Sequence, residues 1–358
     1  MNVLLTTVSG RSHFVDFWRT ALGDRGRVLA ADASGLAPAL QRAHEAFVVP
    51  RFNDPAYVDA ILQICVQHDV RLLVPATDAE LPVIDARRAD LLAVGTVPVV
   101  SDRAVLDVCL DKLAMHGFLV EHGLDAPTTL VTLADARQSV AAGDLSFPLV
   151  VKPRWGSGSL LLSFPTDDAE LELSARLTER VLARTRLAGG ATEAGRTVLF
   201  QPRIPGDEYG LDVVNDLDGR YVGTLVRRKL KMSGGRTEQA VTMSHPGLER
   251  LGATLGRALG HRGVLDCDVM VDGGRCLVID LNARFGGGYA FSHLAGADVP
   301  SAMLAWATDA PVDPSWLTVR EGTVVAMSHD PVVLRELPGS MLGVTEPVAD
   351  DSVSPDGR

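Results

Sequence analysis

The sequence predicts a parallel α/β unit at the N-terminus followed by an α+β region built on hairpins. Three observations carry this. Through residue 100, short β-type runs alternate with helix-length segments, as in a parallel sheet covered on both faces. From residue 147 onward, longer β runs are joined by glycine-containing turns, which favour antiparallel pairing. The stretch VIDLNARFGGG, 278–288, ends an apolar run in Asp280, Asn282 and Arg284 before three glycines, which a strand bound only for a core would not do.

In order, NVLLTTV, GRVLAAD, EAFVVP and VRLLVPATD read as four strands, and LLAVGTVPVVS supplies another. Ala56, Ile61, Leu62 and Cys65 place a helix over 55–68. The turn VSGRSH, with Ser9, Gly10 and Arg11, is not a GxGxxG, which argues against dinucleotide binding. The carboxyl end of a parallel sheet is nevertheless where a ligand sits. Residues 102–122 read as one helix, with Leu106, Cys109, Leu110, Leu113 and Leu119 on its apolar face and Gly123 and Pro127 at its end. FPLVVKPRWGSGSLLLSF, 147–164, parses as strand, glycine loop, strand. DDAELELSARLTERVLART is a helix with acids in its first turn, which suits the helix dipole, and LAGGATEAG, 187–195, is a loop. Two strands flank a Pro205-Gly206 turn, and 221–242 stays β in character, broken by Ser233, Gly234 and Gly235. A helix over 247–262 precedes a hairpin that turns at Gly273-Gly274. AFSHLAGADVPSAMLAWAT is helical in part, EGTVVAMSH is a short β signal, and the tail is polar after about residue 350.

The 358 residues, 46% of them hydrophobic, suffice for two or three domains, and the net charge of -11 argues against nucleic acid or an anionic membrane as partner. No apolar run is long enough to span a bilayer, and MNVLLTTVSG reads as a first strand, not a signal peptide, so a cytoplasmic location is the default expectation. Cys65, Cys109, Cys267 and Cys276 lack metal-type spacing and read as free thiols, although Cys267 and Cys276 flank a turn. His13, His293 and His329 have no triad spacing, and Ser9 is not in a GxSxG elbow.

Side chains two apart on a strand share a face, so Asp266 pairs with Asp268, and Asp280 with Asn282, on strands joined by one turn. Asp268, Asp280 and Asn282 therefore make a candidate set of hard oxygen ligands for Mg²⁺, against the alternative of a solvated hairpin edge. Lys152 ends an apolar strand beside Gly156 and Gly158, which allow a backbone tight enough to cradle phosphate. Glu208 suits a sugar hydroxyl or plain solvent. Arg227, Arg228, Lys229 and Lys231 form a basic run that either neutralises an anion or lies on a solvated face.

Taken together, DK at 111–112, VVKP with GSGS, the Glu after Pro-Gly, DCDVMV and IDLNARFGGG resemble the ATP-grasp superfamily over roughly residues 1–310, in the branch similar to the carbamoyl-phosphate synthetase large chain. The resemblance implies an N-terminal domain preceding the ATP-grasp fold (1–107), a small lobe with linker helix (108–198), a large lobe with the metal site (199–310) and an appended segment (311–358). It implies ATP between the lobes, with Lys112 and Lys152 on phosphates and Gly156, Ser157, Gly158 and Ser159 as the closing loop. Gln201, Pro202, Arg203 and Ile204 would line the adenine pocket, and Glu208 would take the ribose. Asp268, Asp280 and Asn282 would hold Mg²⁺, with Mn²⁺ as an alternative, in two sites. Arg284 would face the transferring phosphate, so that Arg284, Lys152 and Asn282 are the expected catalytic residues. Position 280 is Asp where the family usually has Glu, 268 is Asp where Gln or Glu is common, Gln201 stands where Glu is frequent, Pro202 removes a backbone donor, and NAR replaces Asn-Pro-Arg. Each change that touches a metal ligand keeps an oxygen donor.

The implied activity is carboxylate activation by ATP and capture of the acyl phosphate by an amine, giving an amide, ADP and phosphate. Only one module is present, and no biotin-type lysine motif, which favours a stand-alone amino-acid or small-metabolite ligase with small-molecule substrates. Homodimers are common in the superfamily. The alternatives are a bicarbonate-using carboxylase or carbamoyl-phosphate-type enzyme, and a nucleotide-binding protein without turnover.

Overall fold

The computed structural model describes residues 1–184, 196–328 and 331–334. The loop expected at 187–195, His329 and the polar tail lie outside them. Strands β1 (Asn2–Thr6), β2 (Val28–Asp32), β3 (Glu45–Val48), β4 (Val70–Pro75) and β5 (Val97–Pro98) form a parallel sheet in the order β3-β2-β1-β4-β5. Alternate residues of β1 and β2 feed opposite faces. Leu4, Leu29 and Ala31 pack with α2 (Tyr57–Gln67), while Val3, Leu5, Val28 and Ala30 pack with α1 (Ser12–Leu22). Short helices α3 (Leu81–Asp85) and α4 (Arg88–Ala93) follow β4. The fifth strand is only two residues long, because Leu91 and Leu92 of the expected run belong to α4. Strand order reverses between β1 and β4, so the crevice beyond their carboxyl ends is the place where such a sheet binds ligands.

The helix expected over 102–122 is two helices, α5 (Arg103–Leu110) and α6 (Lys112–Glu121), broken at Asp111. Asp111 lies outside helical geometry at φ -117, ψ 106, and its carboxylate accepts from the N–H groups of Leu113 and Ala114. It also takes a bidentate grip from Arg154, with Nη2 to Oδ2 at 2.7 Å. Capping and a charge-assisted fork compete successfully with helix continuation, and the apolar pattern cannot register either. The break makes Lys112 the first residue of α6.

After α7 (Leu133–Ala142), which sequence periodicity did not reveal, β6 (Leu149–Pro153) pairs antiparallel with β7 (Val198–Pro202), and α8 (Asp168–Leu182) covers them. The second strand expected before residue 164 is absent. A single bridge between Val151 and Ser163 stands in its place, because the loop has four residues of positive φ, at positions 156, 158, 159 and 161, which extended backbone excludes.

The second sheet runs β12-β11-β8-β9-β10-β13, built from β8 (Asp207–Asn215), β9 (Tyr221–Ser233), β10 (Arg236–Thr242), β11 (Gly263–Asp272), β12 (Arg275–Asn282) and β13 (Val324–Ala326). Its apolar face carries Leu211, Val213, Val226, Leu265, Cys267 and Leu281. These pack on Leu248, Leu251, Leu255 and Leu259 of α9 (Pro246–Leu259), each worth about 2 kcal/mol when buried. Helices α10 (Tyr289–Leu294) and α11 (Val299–Trp306) close the chain against α1. All four cysteines are free. Among the described residues no helix is long and apolar enough to cross a membrane.

Candidate active site

The other face of the second sheet is charged, and strand register explains why. Asp268 lies opposite Asp280, Asp266 opposite Asn282 and Asp212, and Gly210 opposite both Asp268 and Arg227. Because side chains alternate, Glu208, Asp212, Arg227, Lys229, Asp266, Asp268, Asp280 and Asn282 all emerge on the side away from α9. The basic run expected at 227–231 therefore splits. Arg227 and Lys229 turn inward, whereas Arg228 pairs at the surface with Asp207 and Lys231 is exposed.

Two lysines of the smaller lobe meet β12 across the seam. Lys112 Nζ donates to the Gly156 carbonyl at 2.7 Å and stands 3.1 Å from Asp280 Oδ1. That approach is poorly aligned, and the buried Asp280 Oδ1 accepts no hydrogen bond. Lys152 Nζ donates to the Ile279 carbonyl at 3.2 Å, and no described carboxylate lies within 4.0 Å of it. Burial, then the neighbouring Lys112, pull the Lys152 ammonium down to about 8. A buried cation with only a carbonyl partner thus sits beside a carboxylate oxygen that lacks a donor. Over them runs the Gly156–Ser159 loop. The β9–β10 turn reaches it, since a Cβ on Gly235 would fall 2.7 Å from the Gly158 carbonyl oxygen.

Deeper in the face, acids and arginines alternate. Arg284 bonds Asp78 Oδ2 through Nη2 and Asp266 Oδ2 through Nη1, both at 2.9 Å. Arg227, 1% exposed, bonds Asp212 at 2.6 Å and Asp266 at 3.2 Å, and Ser292 donates to Asp212 at 2.6 Å. Burial opposes the charge on Arg284, but Asp78 and Asp266 outweigh it and raise its pKa. Lys229 bridges Glu208 and Asp268 at 2.6 Å each. Burial would lower its pKa, and the two carboxylates raise it instead.

This network accounts for Gly286 and Gly288, two of the three glycines after Arg284. A Cβ on Gly286 would drive into the Asp266 carboxylate, one on Gly288 into the Arg227 guanidinium, and one on Gly210 to 2.8 Å from Arg227 Nε. Gly287 faces open space. Gly286→Ala is therefore expected to cost about 2–4 kcal/mol in chemical denaturation, with Gly287→Ala within about 0.5 kcal/mol of the parent. Equal effects from the two would contradict the close packing.

The expected adenine-side residues end β7. Gln201 is buried and donates to Thr129 Oγ1 at 2.7 Å. Arg203 N–H is bonded to the Pro148 carbonyl at 3.3 Å, and its guanidinium lies 5.1 Å from the Phe164 ring centre. With Pro202 lacking an N–H, the Ile204 amide and the strand-end carbonyls are the backbone groups left to read a base edge. Glu208, expected on a ribose, is held by Lys229.

A family model described as the PylC-like N-terminal domain matches residues 3–100, and one described as ATP-grasp in the biosynthetic pathway with Ter operon matches residues 195–330. Residues 195–330 thus match an ATP-grasp model, and the fold is that of the ATP-grasp proteins. A formate-dependent phosphoribosylglycinamide formyltransferase of Pseudomonas aeruginosa is 27% identical over 267 residues, covering 72% of this chain and 63% of that protein. The chain thus spans less than two thirds of that curated relative. Among solved structures, the L-amino acid ligase of Bacillus licheniformis superposes with TM-score 0.65 at 19% identity, over 90% of this chain and 76% of that one. The biotin carboxylase domain of Hydrogenobacter thermophilus 2-oxoglutarate carboxylase, solved with MgADP and bicarbonate, gives TM-score 0.68 at 14% identity, over 90% and 73%.

Within this ATP-grasp fold, Asp78 is the site-lining group that sequence reasoning misses, and Arg227, Lys229 and Asp266 are ones it names without their partners. Asp78 follows β4 at the point where strand order reverses, a signal that was available in VPATD. Arg227 and Lys229 were recoverable from strand alternation. Asp266 was placed on the right face, but its two arginine partners come from distant segments, and spacing does not show them.

Proposed function

We propose that the chain is an ATP-dependent carboxylate–amine ligase that works through an acyl phosphate on small-molecule substrates. The observation that carries this is Lys152, a buried cation beside Lys112 and Asp280 that lacks a carboxylate partner, in the seam between two lobes. A polyphosphate supplies the missing anion. Lys112 and Lys152 hold the phosphates, and the Gly156–Ser159 loop with the Gly235 turn excludes water from them. A carboxylate oxygen attacks the γ-phosphorus and ADP leaves. An amine then attacks the acyl carbon, loses a proton, and phosphate leaves. Arg284, fixed on both sides by Asp78 and Asp266, presents its charge to the oxyanions formed in these steps.

The donor set fits Mg²⁺. Asp280 Oδ1 is buried without a hydrogen bond, Asn282 adjoins it, and Asp268 faces it across the hairpin. Among the described residues no group of three His, Cys, Asp or Glu side chains could hold a metal ion by itself, so the proposed site depends on Asn282 and on phosphate oxygens and water. Lys229 occupies Asp268, so the described side chains favour one ion over the two expected. Asp280 and Asn282 would hold the ion, which would supply charge compensation for the transferring phosphoryl group. The proposed division at 107, 198 and 310 separates the parallel sheet from the rest, but its second boundary falls within β7 and parts it from β6, and its third leaves β13 outside the six-stranded sheet that β13 joins. The bicarbonate in the carboxylase relative supports a second reading, in which bicarbonate is the carboxylate.

The test is isotopic. With a carboxylate substrate labelled with ¹⁸O in both oxygens, one label is expected in each released phosphate. Unlabelled phosphate under turnover contradicts the acyl-phosphate route.

A further inference from the structure

One cation of the face is not absorbed by the ligase chemistry. Arg11 follows β1 at the carboxyl edge of the parallel sheet, next to the crevice between β1 and β4. Its Nη1 donates to the Phe285 carbonyl at 3.1 Å, and Arg284 Nη1 approaches the same oxygen at 3.4 Å. Two guanidinium groups therefore share one acceptor. They differ in what neutralises them. Asp78 and Asp266 bracket Arg284, and Asp266 and Asp212 bracket Arg227. No described carboxylate lies within 4.0 Å of Arg11. The acids of this cluster bond Arg284 and Arg227 directly, and Asp78 and Asp266 act on Arg11 only through space.

Arg236 opens β10 just after the turn that meets the glycine loop and is exposed, and its charge adds to the repulsion on Arg11. Burial first, then Arg284, bring the Arg11 guanidinium down to about 10. The segment that presents Arg11 is held against its own preference. Thr7 and Ser9 have φ of +52 and +47, and the turn is kept in shape because Asp32 accepts from the Ser9 and Ser34 N–H groups at 2.8 and 3.0 Å. Arg11 is also the cap of α1, whose first turn carries no acid.

We propose that Arg11, backed by the charge of Arg236, receives an oxyanion of the substrate that is separate from the carboxylate being activated. Like charges held together in a partly buried crevice are stabilised by an anion between them, and a planar guanidinium fork matches a carboxylate or phosphate. Arg11 shares the Phe285 carbonyl with Arg284, so an oxyanion bound there lies next to the group that meets the phosphoryl donor. The assignment rests on the ligase reading and gives its substrate class: a small molecule carrying a second carboxylate or a phosphate.

The experiment titrates the full chain, in the presence of MgADP, with glutarate as the carboxylate probe and glycerol 3-phosphate as the phosphate probe, and measures MgATP binding in parallel. The wild type is expected to bind one of the two probes, and which one binds identifies the oxyanion. Arg11→Ala should weaken that probe about tenfold or more, and Arg236→Ala, exposed and remote from the core, severalfold. Arg11→Lys, which keeps the charge and loses the fork, should fall between the wild type and the alanine variant. MgATP binding should stay within about twofold in all three variants. Absence of binding by either probe to the wild type, or equal binding by Arg11→Ala, overturns the proposal. A matched loss of MgATP binding in Arg11→Ala would make Arg11 a tether to Phe285 and also overturn it. Failure of the wild type itself to bind MgATP would instead remove the ligase reading and leave the anion result standing.

Discussion

Lys152→Met is expected to give a protein that is more stable than the parent and unable to use ATP. Lys152 is buried, bonded only to the Ile279 carbonyl, and its ammonium is pulled from 10.5 down to about 8 by burial and then Lys112. The sign follows from proton counting. Below pH 8 both folded and unfolded chains hold the proton, and the folded state bears the full cost of a buried charge. Between 8 and 10.5 the unfolded chain binds more protons, so this residue's contribution to stability rises with pH. Methionine has similar length and no charge. The variant should gain about 1–3 kcal/mol in urea denaturation at pH 7, and the gain should shrink by pH 10. Turnover of MgATP should fall by about 10²-fold or more, because the cation opposite the phosphates is gone. Loss of stability together with retained ATP use would contradict the assignment on both counts.

Asp280→Asn is expected to abolish turnover while leaving the fold intact. The substitution preserves shape and removes one negative charge from the position where Lys112 Nζ stands 3.1 Å away and where Oδ1 lacks a hydrogen bond. Asp280 is on the hairpin face opposite the apolar core, so the stability change should stay within about 1 kcal/mol. The rate should drop by about 10³-fold. Residual activity should need a higher Mg²⁺ concentration, which separates a metal ligand from a partner of Lys112 alone. A variant with wild-type ADP release and unchanged Mg²⁺ dependence would show that Asp280 holds no metal.

Much of the fold is legible from local pattern. Apolar runs separated by helix-length spacers mark β1 to β4, and Gly273-Gly274 marks the hairpin that sets Asp268 opposite Asp280. The convergence of Asp280 and Asn282 follows from period two alone. What is not legible depends on partners distant in sequence. The break at Asp111 needs Arg154, 43 residues on, and Gly286 and Gly288 make sense only once Asp266 and Arg227 are seen against them. The basic run at 227–231 reads as a block by composition, but a strand sends Arg227 and Lys229 to one side and Arg228 to the other. Arg11 carries no motif, and Asp78 has only its place after β4. They matter because a parallel sheet brings both to the edge that faces Arg284.

The central claim is that this chain joins a carboxylate to an amine at the expense of ATP. Its most direct measurement is ADP and phosphate release from MgATP across free amino acids, singly and in pairs, with mass detection of products and a parallel arm supplying bicarbonate and ammonia. The account predicts release that depends on a specific pair, with a product weighing the two reactants less one water and one member of the pair bearing a second anionic group. Release restored only by bicarbonate and ammonia, with no condensed product from any pair, would contradict it and establish bicarbonate as the carboxylate.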